Sequence, residues 1–161
     1  MTDTIKVGVI GGAGFAAGEL LRLLVNHPHV KIMSINRVIE EYKKVWMLHL
    51  DLEGECDLRF ISTWDSDVDL IFLCKAHGYS KTFLEENKIP DRVKIIDMSQ
   101  DFRLVKDAST SGRKFVYGLP EINRDLIIQS NSIANPGCFA TGIALALLPL
   151  AEHLGDEIHI N

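Results

Sequence analysis

The sequence predicts an α/β fold, a doubly wound, mostly parallel sheet of Rossmann type, and three observations carry that prediction. A β-branched run at residues 5–10 breaks into a glycine-rich turn and then into a helical apolar pattern. Two later apolar runs, 69–74 and 93–97, are short and nearly continuous, the pattern of strands buried on both faces of a parallel sheet. A helical candidate at 79–87 lies between them, so strand and helix alternate. With 161 residues, 47% of them hydrophobic, there is material for one domain with a real core, and residues 1–155 are assigned to it.

The first strand is Ile5-Lys6-Val7-Gly8-Val9-Ile10, and Gly11, Gly12, Ala13, Gly14, Phe15, Ala16 and Ala17 carry the chain from it into the helix. Small residues there allow a tight turn, a close approach of backbone to a pyrophosphate, and packing of the helix on the strand. The position in the first strand–helix unit, more than the glycines themselves, marks a dinucleotide site; the bland alternative is a turn that only packs its helix. The helix should stop near His27-Pro28, because the residue before a proline is pushed out of helical geometry. Val30 to Ile35 is the second strand. A fold that binds NAD usually offers an acid to the ribose hydroxyls at this strand's end, whereas here Ser34, Asn36 and Arg37 stand there and favour NADP(H), with Glu40 and Glu41 close behind. Residues 38–46 read as a charged, partly helical, solvated stretch.

Ligands of such sheets bind beyond the carboxyl ends of strands. His77 and Gly78, following the run 69–74, are therefore assigned to the nicotinamide side of the cleft. Ser99, Asp101 and Arg103 follow the run 93–97; Ser99 and Arg103 are assigned to substrate, the planar guanidinium suiting a carboxylate or phosphate. A pairing of Asp101 with Arg103 that merely braces the loop weighs equally. Residues 106–114 read as a polar loop, and Tyr117 and Glu121 as pocket or core residues.

A break at Asn135-Pro136-Gly137 precedes an apolar run that lasts to Pro149, which reads as a buried helix beginning at Cys138. A thiol at a helix N-terminus loses its proton more readily, and the free N–H groups there suit an oxyanion developing on an attacked carbonyl. Pro136-Gly137 would set the sulfur at the floor of a cleft, with Asn135 on the substrate side. Two readings of Cys138 stand here, an acyl-transfer nucleophile and a small hydrophobe filling the start of a buried helix.

Composition removes other classes. A net charge of −5 and no basic stripe argue against a nucleic-acid partner. The N-terminus lacks the features of a signal peptide and no apolar run reaches membrane-spanning length, which points to the cytoplasm. Cys56, Cys74 and Cys138 show no C-x-x-C spacing, so neither a disulfide framework nor a metal site is expected. Ala144, six residues after Cys138, excludes a Cys-x5-Arg phosphatase loop.

The segment Asn135-Pro136-Gly137-Cys138-Phe139-Ala140-Thr141-Gly142, with its apolar helix ending in Leu148-Pro149, resembles the active-site segment of the N-acetyl-γ-glutamyl-phosphate reductases, relatives of the aspartate-semialdehyde dehydrogenases. The opening glycine turn, Ala76-His77-Gly78, the run from Asp97 to Leu104 and the run from Val116 to Arg124 are similar to that family as well, while residues 36–52 depart from it. The resemblance implies that Cys138 forms a thioester with a small acyl-phosphate substrate. It further implies that NADPH reduces this thioester and that a semialdehyde of arginine biosynthesis leaves. It also implies a second domain, supplying a histidine acid/base and a homo-oligomeric interface, of which residues 156–161 would be the first strand and the rest lies outside this chain. The alternatives are a sister enzyme acting on aspartyl phosphate, an NADP-binding module without turnover, and a structural interaction domain.

Overall fold

The computed structural model describes residues 4–37, 43–153 and 155. The expected strand at 156–161 and most of the charged stretch at 38–46 lie outside them. Six parallel strands form one sheet in the order β2-β1-β3-β4-β8-β7, from β1 (Ile5–Ile10), β2 (Val30–Asn36), β3 (Leu70–Leu73), β4 (Lys94–Asp97), β7 (Val116–Tyr117) and β8 (Ser132–Ala134). Helices α1 (Phe15–Val25), α2 (Tyr79–Glu86), α3 (Pro120–Gln129) and α4 (Cys138–Leu147) connect or follow them. From β1 the chain goes one way to β2 and then returns to the other side as β3, so the strand order reverses between β1 and β3. A crevice opens at such a reversal, beyond the carboxyl ends of the strands.

Alternation along the strands fills two layers. Val7 and Val9 of β1 and Phe72 of β3 pack with Ala17, Leu21 and Leu24 of α1 on one face. Ile10, Ile71, Leu73 and Ile95 pack with Phe83 and Leu84 of α2 on the other. The second layer extends to Phe102 and Phe115, whose rings stack with centroids 4.0 Å apart.

Two expectations change here. Residues 106–114 are not a plain loop: β5 (Ser109–Thr110) and β6 (Arg113–Lys114) pair antiparallel across Ser111 and Gly112. Both turn residues have positive φ, 49° and 76°, as a tight hairpin turn requires. Short 3-10 turns stand at Val45–Met47 and Leu50–Leu52, with Val45 and Leu52 buried, while the expected solvated helix face at 40–44 lies mostly outside the described residues. Finally, α4 starts at Cys138 as expected but is not buried. None of its residues is, and Phe139 is 84% exposed. An apolar run signals a demand for cover, and no other described element supplies that cover.

Candidate active site

The glycine turn is shaped by contacts that only glycine permits. Gly11 has φ +85°, and a Cβ there would stand 2.9 Å from the Cys74 carbonyl oxygen. A Cβ on Gly12 would overlap the Ile35 side chain. The N–H groups of Gly11 and Gly12 both donate to the Asn36 carbonyl, at 3.2 and 3.0 Å, tying the turn to the end of β2. Gly14 begins α1 with extended backbone and no side-chain cap, so the first-turn N–H groups are not taken by a side chain. A hollow of about 310 Å³ opens beside this turn, lined by Gly11, Ala13, Gly14, Asn36, Arg37, Cys74, Lys75, Ala76 and Tyr79. A cradle that a Cβ would fill, beside an uncapped helix start, fits a pyrophosphate.

A second, larger groove of about 690 Å³ lies beside it. Ala16 from the first turn of α1 lines it together with His77, Met98, Arg103, Glu121, Asn135, Gly137, Cys138 and Thr141. Cys138 is exposed on the groove wall, not at its floor. It opens α4 behind Gly137, which again offers no side-chain cap. The Thr141 N–H and hydroxyl both bond the Gly137 carbonyl at 2.9 Å, which fixes the first turn. Cys74 is a different kind of thiol: burial, with a smaller contribution from the Asp97 charge, pushes it up to about 12, so it stays protonated and inert.

Arg103 holds the groove together. Its Nε donates to the Asn135 carbonyl at 2.8 Å and its Nη2 to the Met98 carbonyl at 3.0 Å. Nη1 packs so closely over Gly137 that a Cβ there would stand 2.8 Å from it. The Asp101–Arg103 pair, which weighed equally with a cleft role in the sequence, does not form. The Asp101 carboxylate instead accepts the N–H groups of Gly78, Ser80 and Lys81, at 2.6, 3.0 and 3.2 Å, and so caps α2.

The structure thus brings Gly11, Ala13, Gly14 and Arg37 to one cavity and Ala16, His77, Arg103, Asn135 and Cys138 to the other. Phe15 is exposed at the start of α1, in neither lining. Gly12 and Ala17 serve the motif from inside, both buried. Three assignments are corrected. Ser34 is buried opposite Gly8, its hydroxyl accepting the Asp65 N–H at 3.3 Å, because its place in the register turns it to the interior. Ser99 is buried between Asp97 and the Asp101 N–H and faces no cavity. Gly78, assigned with His77 to the nicotinamide side, lines neither cavity, and its N–H is occupied by the Asp101 carboxylate.

Lys75 and Tyr79 were missed, and the signal for them was their place just past β3. His49 was also missed. Its ring sits over Gly18 of α1, where a Cβ would overlap it, and its Nε2 pairs with the Gly12 carbonyl at 2.8 Å. The glycine in the middle of an otherwise good helix was the available signal.

A family model described as "Semialdehyde dehydrogenase, NAD binding domain" matches residues 6–130. The chain belongs to this family. It is a nicotinamide-dinucleotide-binding domain, in accord with the glycine cradle. This semialdehyde dehydrogenase domain is 50% identical over 159 residues to an N-acetyl-gamma-glutamyl-phosphate reductase of Flavobacterium johnsoniae, covering 98% of this chain and 49% of the relative. It is 47% identical over 160 residues to the protein of the same name from Bacteroides fragilis, covering 98% and 48%. The chain spans about half the length of the curated relatives it matches. Among solved structures it is similar to aspartate semialdehyde dehydrogenase II of Vibrio cholerae, with TM-score 0.68, 19% identity, and 95% and 49% coverage. It is also similar to the aspartate semialdehyde dehydrogenase of Candida albicans solved with NADP, with TM-score 0.62, 15% identity, and 94% and 48% coverage. At those identities the structures speak for the fold. No helix among the described residues is long and apolar enough to cross a membrane. No described group of three or more His, Cys, Asp or Glu is arranged to hold a metal ion.

Proposed function

We propose that this domain carries the cofactor site and the nucleophile for NADP(H)-dependent reduction of N-acetyl-γ-glutamyl phosphate to N-acetylglutamate semialdehyde. The observation that carries the reading is one groove lined both by Ala16, at the start of the dinucleotide helix, and by Cys138, at the start of α4. The substrate class is supported by relatives 45–50% identical that bear the reductase name.

The Cys138 thiolate attacks the acyl carbonyl carbon, forming the C–S bond as the C–O bond to phosphate breaks and inorganic phosphate departs. Negative charge on the carbonyl oxygen in that step lies against the first-turn N–H groups of α4, which no side chain caps. Arg103, positively charged and lining the same groove, attracts the phosphate or the substrate carboxylate. A nicotinamide cofactor held at the cradle of Gly11, Ala13 and Gly14 would supply the hydride that reduces the acyl carbon. Collapse of the Cys138 adduct then breaks the C–S bond, returns the thiolate and releases the aldehyde.

NADP(H) is the favoured cofactor because Arg37 and Lys75 both line the hollow beside the glycine turn and no carboxylate lines it among the described residues. Two cations suit a ribose 2′-phosphate, whereas an NAD site uses an acid on the hydroxyls.

The test is phosphate-dependent reduction of NADP by the chain with N-acetylglutamate semialdehyde, run beside aspartate semialdehyde, NAD and Cys138→Ser. Turnover with the first substrate and NADP, lost by at least about 10³-fold in the variant, is expected. A mass increase of one acyl group on Cys138 after exposure to the acyl phosphate reads the first half-reaction separately. Turnover retained in Cys138→Ser, or no acyl adduct on the wild-type chain, would overturn the proposal.

A further inference from the structure

A carboxylic acid that none of these steps uses lies beneath the groove. Asp97 ends β4, in register with Leu73 of β3 and Ala134 of β8, and it is fully buried. Its backbone carbonyl accepts the Asn135 N–H at 2.8 Å, in the turn that leads to Cys138. Its Oδ2 accepts the Ser99 hydroxyl at 2.7 Å, and the Ser99 oxygen in turn accepts the Asp101 N–H at 3.1 Å. Its Oδ1 is buried without a donor at hydrogen-bonding geometry among the described residues, while the buried Ser80 hydroxyl of α2 lies near enough to favour the charged form. A carboxyl so placed is costly to the fold unless it holds something in position.

What it holds is the 99–103 turn. The Gln100 N–H donates to Nδ1 of His77 at 3.1 Å. With Nδ1 an acceptor, the neutral ring carries its hydrogen on Nε2, and His77 lines the groove with Cys138. At the far end of the turn, Arg103 spans the Met98 and Asn135 carbonyls.

We propose that Asp97 is a positioning residue of the groove: through Ser99 it fixes the 99–103 turn, so that His77 presents an Nε2–H donor to a carbonyl oxygen beside Cys138. This deepens the proposed function and rests on it for its chemical purpose. In this role His77 is a donor and not the base that takes a proton during adduct collapse. Burial raises the Asp97 carboxyl from its ordinary value, with the Ser80 and Ser99 hydrogen bonds opposing and the Asp101 charge adding.

The experiment is long-range proton–nitrogen NMR of histidine-labelled chain, which needs no turnover, on wild type, Ser99→Ala, Asp97→Leu and Asp97→Asn. Wild type shows His77 as a single Nε2–H tautomer. Ser99→Ala and Asp97→Leu shift it toward a mixture, a change of roughly fivefold in tautomer ratio if one hydrogen bond of about 1 kcal/mol is lost. Asp97→Asn, whose amide oxygen can still accept from the Ser99 hydroxyl, keeps the wild-type pattern. Leucine in place of a buried acid is often tolerated by the fold, which separates positioning from stability. A folded Ser99→Ala or Asp97→Leu chain with an unchanged His77 overturns the proposal. So does an Asp97→Asn chain that loses the single tautomer, and so does unfolding of both Ser99→Ala and Asp97→Leu, since Asp97 would then be a structural residue. Absence of turnover in wild type with the expected His77 pattern would count against the proposed function and leave the positioning role standing.

Discussion

Helices α1 and α4 each follow a parallel strand and a glycine with extended backbone, each begin without a side-chain cap, and each line the groove that contains the thiol. They differ in what covers them. In α1, Ala17, Gly18, Leu21 and Leu24 are buried against β1 and β2, whereas α4 has no buried residue although it is almost wholly apolar. Helix α3 shares that condition, with Ile122, Leu126 and Ile128 exposed. The N-terminal strands and their helices thus close their own core, and the β7–β8 edge leaves its helices uncovered. Hydrophobicity reports what a segment requires, and topology decides whether the requirement is met.

The largest break in the comparison comes from truncating one leucine in each helix. Leu21→Ala should cost about 2–5 kcal/mol, because Leu21 is fully buried, and Leu145→Ala, 41% exposed, within about 0.5 kcal/mol. Denaturant unfolding of the two variants reads the difference, and equal losses would mean that α4 is packed in solution. The same glycine-to-alanine change should then take opposite signs. Gly18→Ala drives a methyl into the His49 ring and should destabilise by about 1–3 kcal/mol.

Uncovered apolar helices have a second consequence. The chain should self-associate as concentration rises, and Phe139→Asp should reduce that association without lowering the melting temperature, since Phe139 is 84% exposed. Sedimentation showing a clean monomer at high concentration would contradict this.

The core beneath the groove predicts a pH effect of modest size. Burial raises the folded-state pKa of Asp97 above its unfolded value, with Ser80 of α2 and Ser99 of its own loop opposing and the Asp101 charge adding, and its own charge bears in turn on Cys74, just past β3. The folded state therefore binds the proton more tightly, and stability is lost as pH rises through and above the ordinary carboxylate range of about 4. Asp97→Asn lacks that loss. Its melting-temperature advantage over wild type should grow as pH rises from about 4 and vanish below it, and a gap independent of pH would refute the shift. The smallest effect is the counterpart on α4, where Gly142 has open space at its Cβ position. Gly142→Ala should stabilise by about 0.4–1 kcal/mol in the same unfolding assay.

Local period made much of this legible in the sequence. The first strand, its glycine turn and α1 were readable because each lies within a few residues, and the start of α4 at Cys138 followed from Asn135-Pro136-Gly137. Side-chain direction was harder. Ser34 was placed at the cleft from its position near a strand end, but β1 and β2 slip register between Val7 and Gly8, and Ser34 faces inward opposite Gly8. Ser99 failed for a related reason, since a hydroxyl two residues past a strand can turn back to the strand's own carboxylate. The packing of His49 over Gly18 joins residues 31 apart with no shared period, and only the unexplained helix glycine hinted at it.

The shared carbonyl of Asn36 has a consequence for redesigning cofactor preference. Because one acceptor at the end of β2 holds the N–H groups of both Gly11 and Gly12, the β2 terminus and the glycine turn form a single mechanical piece. An exchange of side chains around Arg37 that tilts the Asn36 peptide would also tilt the turn. Changing the nicotinamide-cofactor preference of this scaffold therefore calls for grafting the β1 turn and the β2 terminus together as one cassette.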